Sequence, residues 1–318
     1  MGKYLYVLHK KEYISIVSKT LLQVTECLSL GTKTRLYDIV MHNDEKAIVL
    51  CNKDERTVLL DINFKNFTCN EIARLSIGEY LSTKFSLSLS HDNKIAVINA
   101  TTAIYAINMN NGRIIWSCEF GCSELPRIPE VFYKHTLPIL FSNDSVNKAI
   151  SEAWFVNLDT LSTLKKGTYN AFNLSRWGYN KDDKKLYAIG DVGQGKKNII
   201  MTINPVDGAH QSITETEFHA DGKATNWQWT SIGMLTGVCD DNLVYIISRN
   251  GEIQKKITTK MNDPYIFFDD NDLFTLGLSS LSAELYRISK YSNILNKERI
   301  ITEYLDFPDN QEIINVVG

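Results

Sequence analysis

The segment KFSLSLSHDNKIAVINATTAIYAINMNNGRIIWSCEF, residues 84–120, divides into four short β-type runs: FSLSLS, KIAVIN, AIYAIN and RIIWSCEF. Polar turns part them, HDN after the first run and MNNG after the third. Asn-Gly and Asp-Asn supply the backbone conformations that tight hairpins require. This unit of four antiparallel strands recurs, and a unit recurring about every 39–48 residues constrains the whole fold more than any local feature. Copies run over 37–63, 131–160, 175–208, 226–257 and 264–290, with almost no helical periodicity between them. Second strands are expected near Ile48, Ile95, Ile139, Leu186, Leu235, Phe274 and Ile313.

The two ends read as halves of one further copy. YLDFPDNQEIINVVG (304–318) matches the first two strands of the unit, and KYLYVLHKKEYISIVS (3–18) lines up with its last two. Joining them would close the array and leave few unpaired edges.

The unit resembles a WD-repeat blade, in which a turn such as S-P-D-G-K links first and second strands; SHDNK, NKDDKK and FPDNQE stand in that place here. Its third and fourth strands, IYAINMNNGRIIW, resemble quinoprotein-type blades. The Gly-His and Trp-Asp dipeptides of true WD repeats are missing, as are the adjacent cysteine pair and the recurrent Trp motif of quinone-dependent dehydrogenases. The resemblance therefore implies a fold and carries no cofactor chemistry. It implies an all-β, seven-bladed β-propeller spanning 1–318 as a single domain, with four-stranded antiparallel blades and a composite last blade. That blade takes its inner strands from the carboxyl end and its outer strands from the amino end. The fold hosts many unrelated functions, so function rests on the site.

The net charge is −3, with acids and bases interspersed. Neither a basic stripe for nucleic acid nor a polybasic segment for an anionic membrane is present. YLYVL before His9 is too short for a signal h-region, and no apolar run reaches membrane-spanning length, so a cytoplasmic location is expected. Without a secretion signal, the sequons at Asn66, Asn99, Asn143 and Asn173 carry no implication. A closed propeller needs no second copy, and a monomer is expected.

Motifs for chemistry are sparse. Cys118 and Cys122 form the one close cysteine pair and read as small hydrophobes, without metal partners nearby. GDVGQGKKN (190–198) could cradle phosphate, but it lacks the GK[ST] ending and a strand follows it, so a flexible turn is the better reading. His219 and Asp221 stand two residues apart on a loop. His42, His91 and His135 fall at or just after first strands, where polar residues tie blades together by hydrogen bonds. The acidic pairs at 182–183, 240–241 and 269–270 lie in turns, which favour Asp for its local backbone bonds. Trp177, Trp227 and Trp229 lie on first strands; Trp116 and Trp154 lie mid-strand and read as structural. Burial between blades is the stronger reading for the first-strand tryptophans, with Trp227 an anchor for a partner if it sits at the strand mouth.

Propellers bind on one rim, made of the loops that enter first strands and those that join second to third strands. Those loops here are uneven in length and composition, which suits one irregular partner surface and not a repeated ligand. The expected function is a non-enzymatic protein-binding propeller, acting as a dedicated inhibitor or immunity protein toward a toxin or enzyme. No cofactor, metal or catalytic residue is assigned. Partner-binding candidates are Asp54, Arg56, Arg127, Asp191, Lys196, Lys197, His219, Asp221, Lys223 and Trp227. The alternatives are a hydrolase or lyase with its site at the central channel, and a glycan-binding propeller.

Overall fold

The computed structural model describes residues 2–77, 85–100, 102–120, 126–142, 150–170, 173–180, 183–191, 198–215, 225–229, 235–239, 243–248, 250–269, 272–293, 299–307 and 312–318. All regular structure among them is strand. In chain order the strands begin with β1 (Tyr4–His9), β2 (Tyr13–Ser18), β3 (Val24–Ser29), β4 (Arg35–Asn43), β5 (Lys46–Lys53), β6 (Arg56–Asn63) and β7 (Thr68–Leu75). Next come β8 (Ser86–Ser90), β9 (Ile95–Asn99), β10 (Ala103–Asn108), β11 (Ile114–Glu119), β12 (Pro126–Arg127), β13 (Val131–Phe132), β14 (Thr136–Ser142), β15 (Ile150–Asn157) and β16 (Ser162–Asn170). They continue as β17 (Asn173–Asn180), β18 (Lys185–Asp191), β19 (Asn198–Ile203), β20 (His210–Glu215), β21 (Thr225–Trp229), β22 (Leu235–Cys239), β23 (Leu243–Ile247) and β24 (Ile253–Thr258). The last are β25 (Met261–Asp269), β26 (Asp272–Ser279), β27 (Ser282–Ser292), β28 (Arg299–Leu305) and β29 (Ile313–Val317).

The chain groups into two compact units, Met1–Ile77 with Gly222–Ile247 and Gln254–Gly318, and Gly78–Asp221 with Ser248–Ile253. The first unit holds the sheets β4-β5-β6-β7, β21-β22-β23-β24, β25-β26-β27-β28 and β29-β1-β2-β3. Each is antiparallel wherever its register is described, as the hairpin-linked repeat predicts. β1 explains why YLYVL reads as one apolar run. Its alternation sends Tyr6 and Leu8 into the core shared with β4, β5 and β6, and Leu5 and Val7 into the core shared with β26 and β27. A strand buried on both faces has no polar side to show.

The second unit holds β12-β14-β15-β16, β17-β18-β19-β20, and β8 to β11 with a fifth member, β13. β14 divides its side chains in the same way: Leu137 and Ile139 meet Ile95, Val97 and Phe132, while Leu140 meets Leu174, Trp177 and Ala188. The turns expected in residues 84–120 are present, with Asn93 at φ 58° and Gly112 at φ 65°.

Three expectations are corrected. The composite sheet forms, but with one strand from the carboxyl end and three from the amino end, not two and two. Val24–Ser29 is its outer strand; its mostly exposed, polar pattern carries no apolar run to announce it. Consequently Ile313 lies in a first strand and not a second, and TEYL before it is the outer strand of the preceding sheet. Finally, Val131–Phe132 is not the first strand of the 131–160 copy. It pairs in parallel with β8, because Phe132 is fully buried against that sheet's core, and Pro126–Arg127 takes the first-strand place beside β14.

Candidate functional site

In a four-stranded antiparallel sheet, the turn joining second to third strand and the loop leaving the fourth strand lie at the same end. The one-plus-three composition of the composite sheet therefore moves the turn Lys10–Glu12, between β1 and β2, to the end where β3 hands over to β4. Together with the loop after β3 this turn borders an open cavity of 560 Å³, lined by Lys10, Lys11, Glu12, Thr32, Lys33, Thr34 and Arg35.

Backbone bonds lace its walls. Glu12 N donates to Thr34 O (3.1 Å), Leu30 N to Glu12 O (2.7 Å) and Leu36 N to Lys10 O (3.1 Å). Lys11 and Arg35 form an isolated antiparallel bridge. Buried Thr34 closes the turn through Oγ1 to Leu30 O at 3.2 Å, leaving Lys33 at its tip with φ 70°. Among the described residues, four cations thus line the cavity against the carboxylate of Glu12. A second carboxylate, Glu312, reaches Lys10 Nζ at 2.6 Å, and Arg35 lies over the Tyr37 ring at 5.6 Å.

Of the expected partner-binding residues, Asp54 and Arg56 lie at this same end of the adjacent sheet. Asp54 and Glu55, at φ 51° and 61°, make the two-residue link between β5 and β6, the type I′ geometry that suits a hairpin. Arg35 pairs with Asn52, so this tip begins two residues beyond the cavity's edge. Arg56 donates to Ser76 Oγ. In the other unit, Arg127 is half-buried and its carbonyl accepts the Trp177 Nε1 hydrogen at 3.2 Å, so its backbone serves a structural bond. Asp191 ends β18 and Trp227 lies in β21, with their side chains outside the description. Lys196, Lys197, His219, Asp221 and Lys223 lie outside the described residues.

The histidine and tryptophan expectations can be placed in part. His135 bridges two sheets, Nδ1 to Asp159 Oδ1 at 2.6 Å and Nε2 to Asp92 Oδ2 at 3.2 Å, which is the tie expected of it. His91 meets the Tyr179 ring edge-on at 6.3 Å. Trp177 is buried against Phe155, and Trp154 packs with Phe120 and Phe141. Of the acidic pairs, Asp183 binds Lys185 N and the Tyr187 hydroxyl, and Asp269 binds Lys19. Asp182, Asp240, Asp241 and Asp270 lie outside the described residues, as do 192–197 of the Gly-rich motif.

A second cavity, of 470 Å³, opens at the opposite end of the same two sheets, around Tyr4, Tyr6, Phe64 and Phe67 with Glu26, Asp44 and Glu45. Tyr6 stacks on Phe64 at 3.9 Å and donates to Asp44 O. Burial, followed by the charge of Glu45, pushes the Tyr6 hydroxyl up to about 12. Among the described residues, no cluster of three His, Cys, Asp or Glu side chains is arranged to hold a metal, and no helix is long and apolar enough to cross a membrane.

No family model and no curated protein matches the chain. Solved structures do. Hsv2 of Kluyveromyces lactis shares 14% identity over 95% of this chain and 94% of its own, with a TM-score of 0.61. Hydrazine synthase of Kuenenia stuttgartiensis shares 13% over 94% and 92%, with a TM-score of 0.59. The chain folds as a β-propeller. At such identities the likeness is one of fold, so the site must be read from this propeller's own residues.

The sequence reading missed Lys10, Lys11, Lys33 and Arg35. Their place on the propeller's rim follows once Val24–Ser29 is recognised as a strand. The signal in linear sequence is weak, only Val24 and Leu28 among polar neighbours, and these are the side chains that pack on the two cores.

Proposed function

We propose that this chain is a non-enzymatic protein-binding propeller, a dedicated inhibitor or immunity protein that holds a toxin or enzyme on its loop rim. The observation that carries the reading is the rim cavity of Lys10–Glu12 and Thr32–Arg35, with charged side chains on a backbone already cross-bonded. A surface ordered before binding loses little entropy on association, which is what a stoichiometric inhibitor requires. The hairpin tip at Asp54–Glu55 and Arg56 extends the same rim with further charge.

Immobilised protein presented to native lysate, with bound proteins identified by mass spectrometry, tests this. The control carries reversals at both rim places, Lys33→Glu with Asp54→Lys and Arg56→Glu. The expected result is one protein at one-to-one stoichiometry, lost with the control, whose own activity falls in the complex. A partner indifferent to every rim reversal, or turnover of a small molecule by the propeller itself, would reject the reading.

A further inference from the structure

We infer that the Lys10–Lys11–Lys33–Arg35 cavity seats an acidic segment of a protein partner, an extended stretch bearing several Asp or Glu side chains. The inference rests on the rim reading and names the chemistry the rim selects.

The charge balance is the first ground. The chain as a whole carries −3, yet the residues lining this cavity contribute four cations and one carboxylate. Like charges held around one opening repel; among the described residues Lys10 is paired with Glu312, and Arg35 lies over the Tyr37 ring. That pair also indicates the ligand: a carboxylate already sits 2.6 Å from one of the four cations. A partner bringing further carboxylates would extend this pairing to Lys33 and Arg35, both exposed residues. Such complementary charge raises association rate and excludes wrong partners.

Size and shape are the second. At 560 Å³ the open cavity lies within the range of about 300–1,000 Å³ usual for ligand clefts. A lone oxyanion would leave most of it to water. An extended segment presents alternate side chains to one side roughly 7 Å apart, so more than one carboxylate reaches the opening. The walls favour such a ligand because they are held by backbone bonds from Lys10, Glu12, Leu30 and Leu36 and need not reorganise. A nucleic acid is the less suited polyanion. Surfaces for a single strand, such as an oligothymidylate, combine a basic track with aromatic rings for stacking, and among the described residues no aromatic lines this cavity.

The test titrates the full chain into three labelled probes of about eight units, followed by fluorescence anisotropy at about 50 and 200 mM salt. The probes are a peptide alternating Asp or Glu with Ser, its Asn/Gln counterpart, and an oligothymidylate. The expected result is binding of the acidic peptide alone, weakened by salt and at least about tenfold by Lys33→Glu with Arg35→Glu. Lys65→Glu, at the opposite end of the neighbouring sheet, is expected to leave it unchanged. Should the double reversal lower the melting temperature, Lys33→Gln with Arg35→Gln decides, with a smaller loss in the same direction. No binding of the acidic peptide, equal binding of the amide peptide, an unchanged affinity in the reversed variants, or tighter binding of the oligonucleotide would each overturn the inference. A partner still captured by the Lys33/Arg35 reversal but lost on Asp54/Arg56 reversal would sink the cavity's role and leave the rim reading standing.

Discussion

Lys19 places its ammonium 2.8 Å from the carboxylate of Asp269 and 4.5 Å from the centroid of the Phe267 ring. Lys19 follows β2 and Asp269 ends β25, so the pair links two sheets of one unit through residues far apart in sequence. The side chains are only 7% and 17% exposed. Removing one partner of a buried pair strands the other charge, at a cost of about 3–5 kcal/mol. Lys19→Ala and Asp269→Ala are each expected to lose roughly 2–4 kcal/mol in urea unfolding, and the double variant far less than their sum. Losses below about 0.5 kcal/mol would place the pair with ordinary surface salt bridges.

Asp92 gives the second unit a defined acid response. Partial burial pushes its pKa up, but hydrogen bonds from Ser90, Lys94 and His135 outweigh burial and hold it at about 2. The folded value lies below the unfolded value of about 3.9. The carboxylate therefore contributes stability above about pH 4, which is lost as pH falls toward about 2. Melting temperatures of wild type and Asp92→Asn are expected to differ at neutral pH and to converge across that window. Curves that stay parallel from about pH 5 to pH 2 would remove Asp92 from the tie.

The fold was legible because most strands announce themselves. In residues 84–120 the runs around Val97 and Ala106 are apolar on both faces, and Asn93 and Gly112 occupy the turns that need positive φ. What stayed hidden is what local pattern does not encode. Val24–Ser29 is mostly exposed and polar, so the pattern places residues 3–18 as the last two strands of the closing sheet, where they form its second and third. The pairing of Val131–Phe132 with β8 is decided by where Phe132 is buried, a tertiary choice. The cations of the rim cavity are brought together by bonds such as Leu36 N to Lys10 O, across residues that no motif connects. Asp54 and Arg56, by contrast, fall within a hairpin that the sequence does mark.

Gly208 is the position where a single methyl group is expected to do most harm. Its φ is +68°, and a Cβ there would lie 2.4 Å from the Phe155 ring, in the core around Trp177. Its carbonyl also accepts the Tyr169 hydroxyl at 2.9 Å, so the turn has little room to move away. The left-handed backbone costs a residue with a side chain about 1–2 kcal/mol, and overpacking adds about 1–3. Gly208→Ala is expected to lose roughly 2–4 kcal/mol by chemical denaturation. Phe155→Leu in the same chain should recover part of that loss. If Gly208→Ala unfolds with wild type, the close approach of ring and turn is not a constraint.

β29 is expected to carry more of the stability than its five residues suggest. It supplies the ladder partner for Tyr6–His9, and it sends Val317 into one core and Ile313 and Val316 into the other. Its flanks are tied by polar bonds as well. Asn315 Nδ2 donates to Asp38 Oδ1 at 2.7 Å, and the Tyr265 hydroxyl donates to Ile313 O at 2.9 Å. Deleting residues 313–318 would take apolar side chains from both cores at once and leave β1 with an open, apolar edge, the arrangement that templates aggregation. The expected outcome is insoluble or oligomeric protein in size-exclusion chromatography. Tyr265→Phe, which removes one hydrogen bond and no strand, should elute with wild type and lose only about 1 kcal/mol. A deleted chain that eluted and melted with wild type would show that β1 does not depend on this partner, and the one-plus-three sheet would lose its role in holding the ends together.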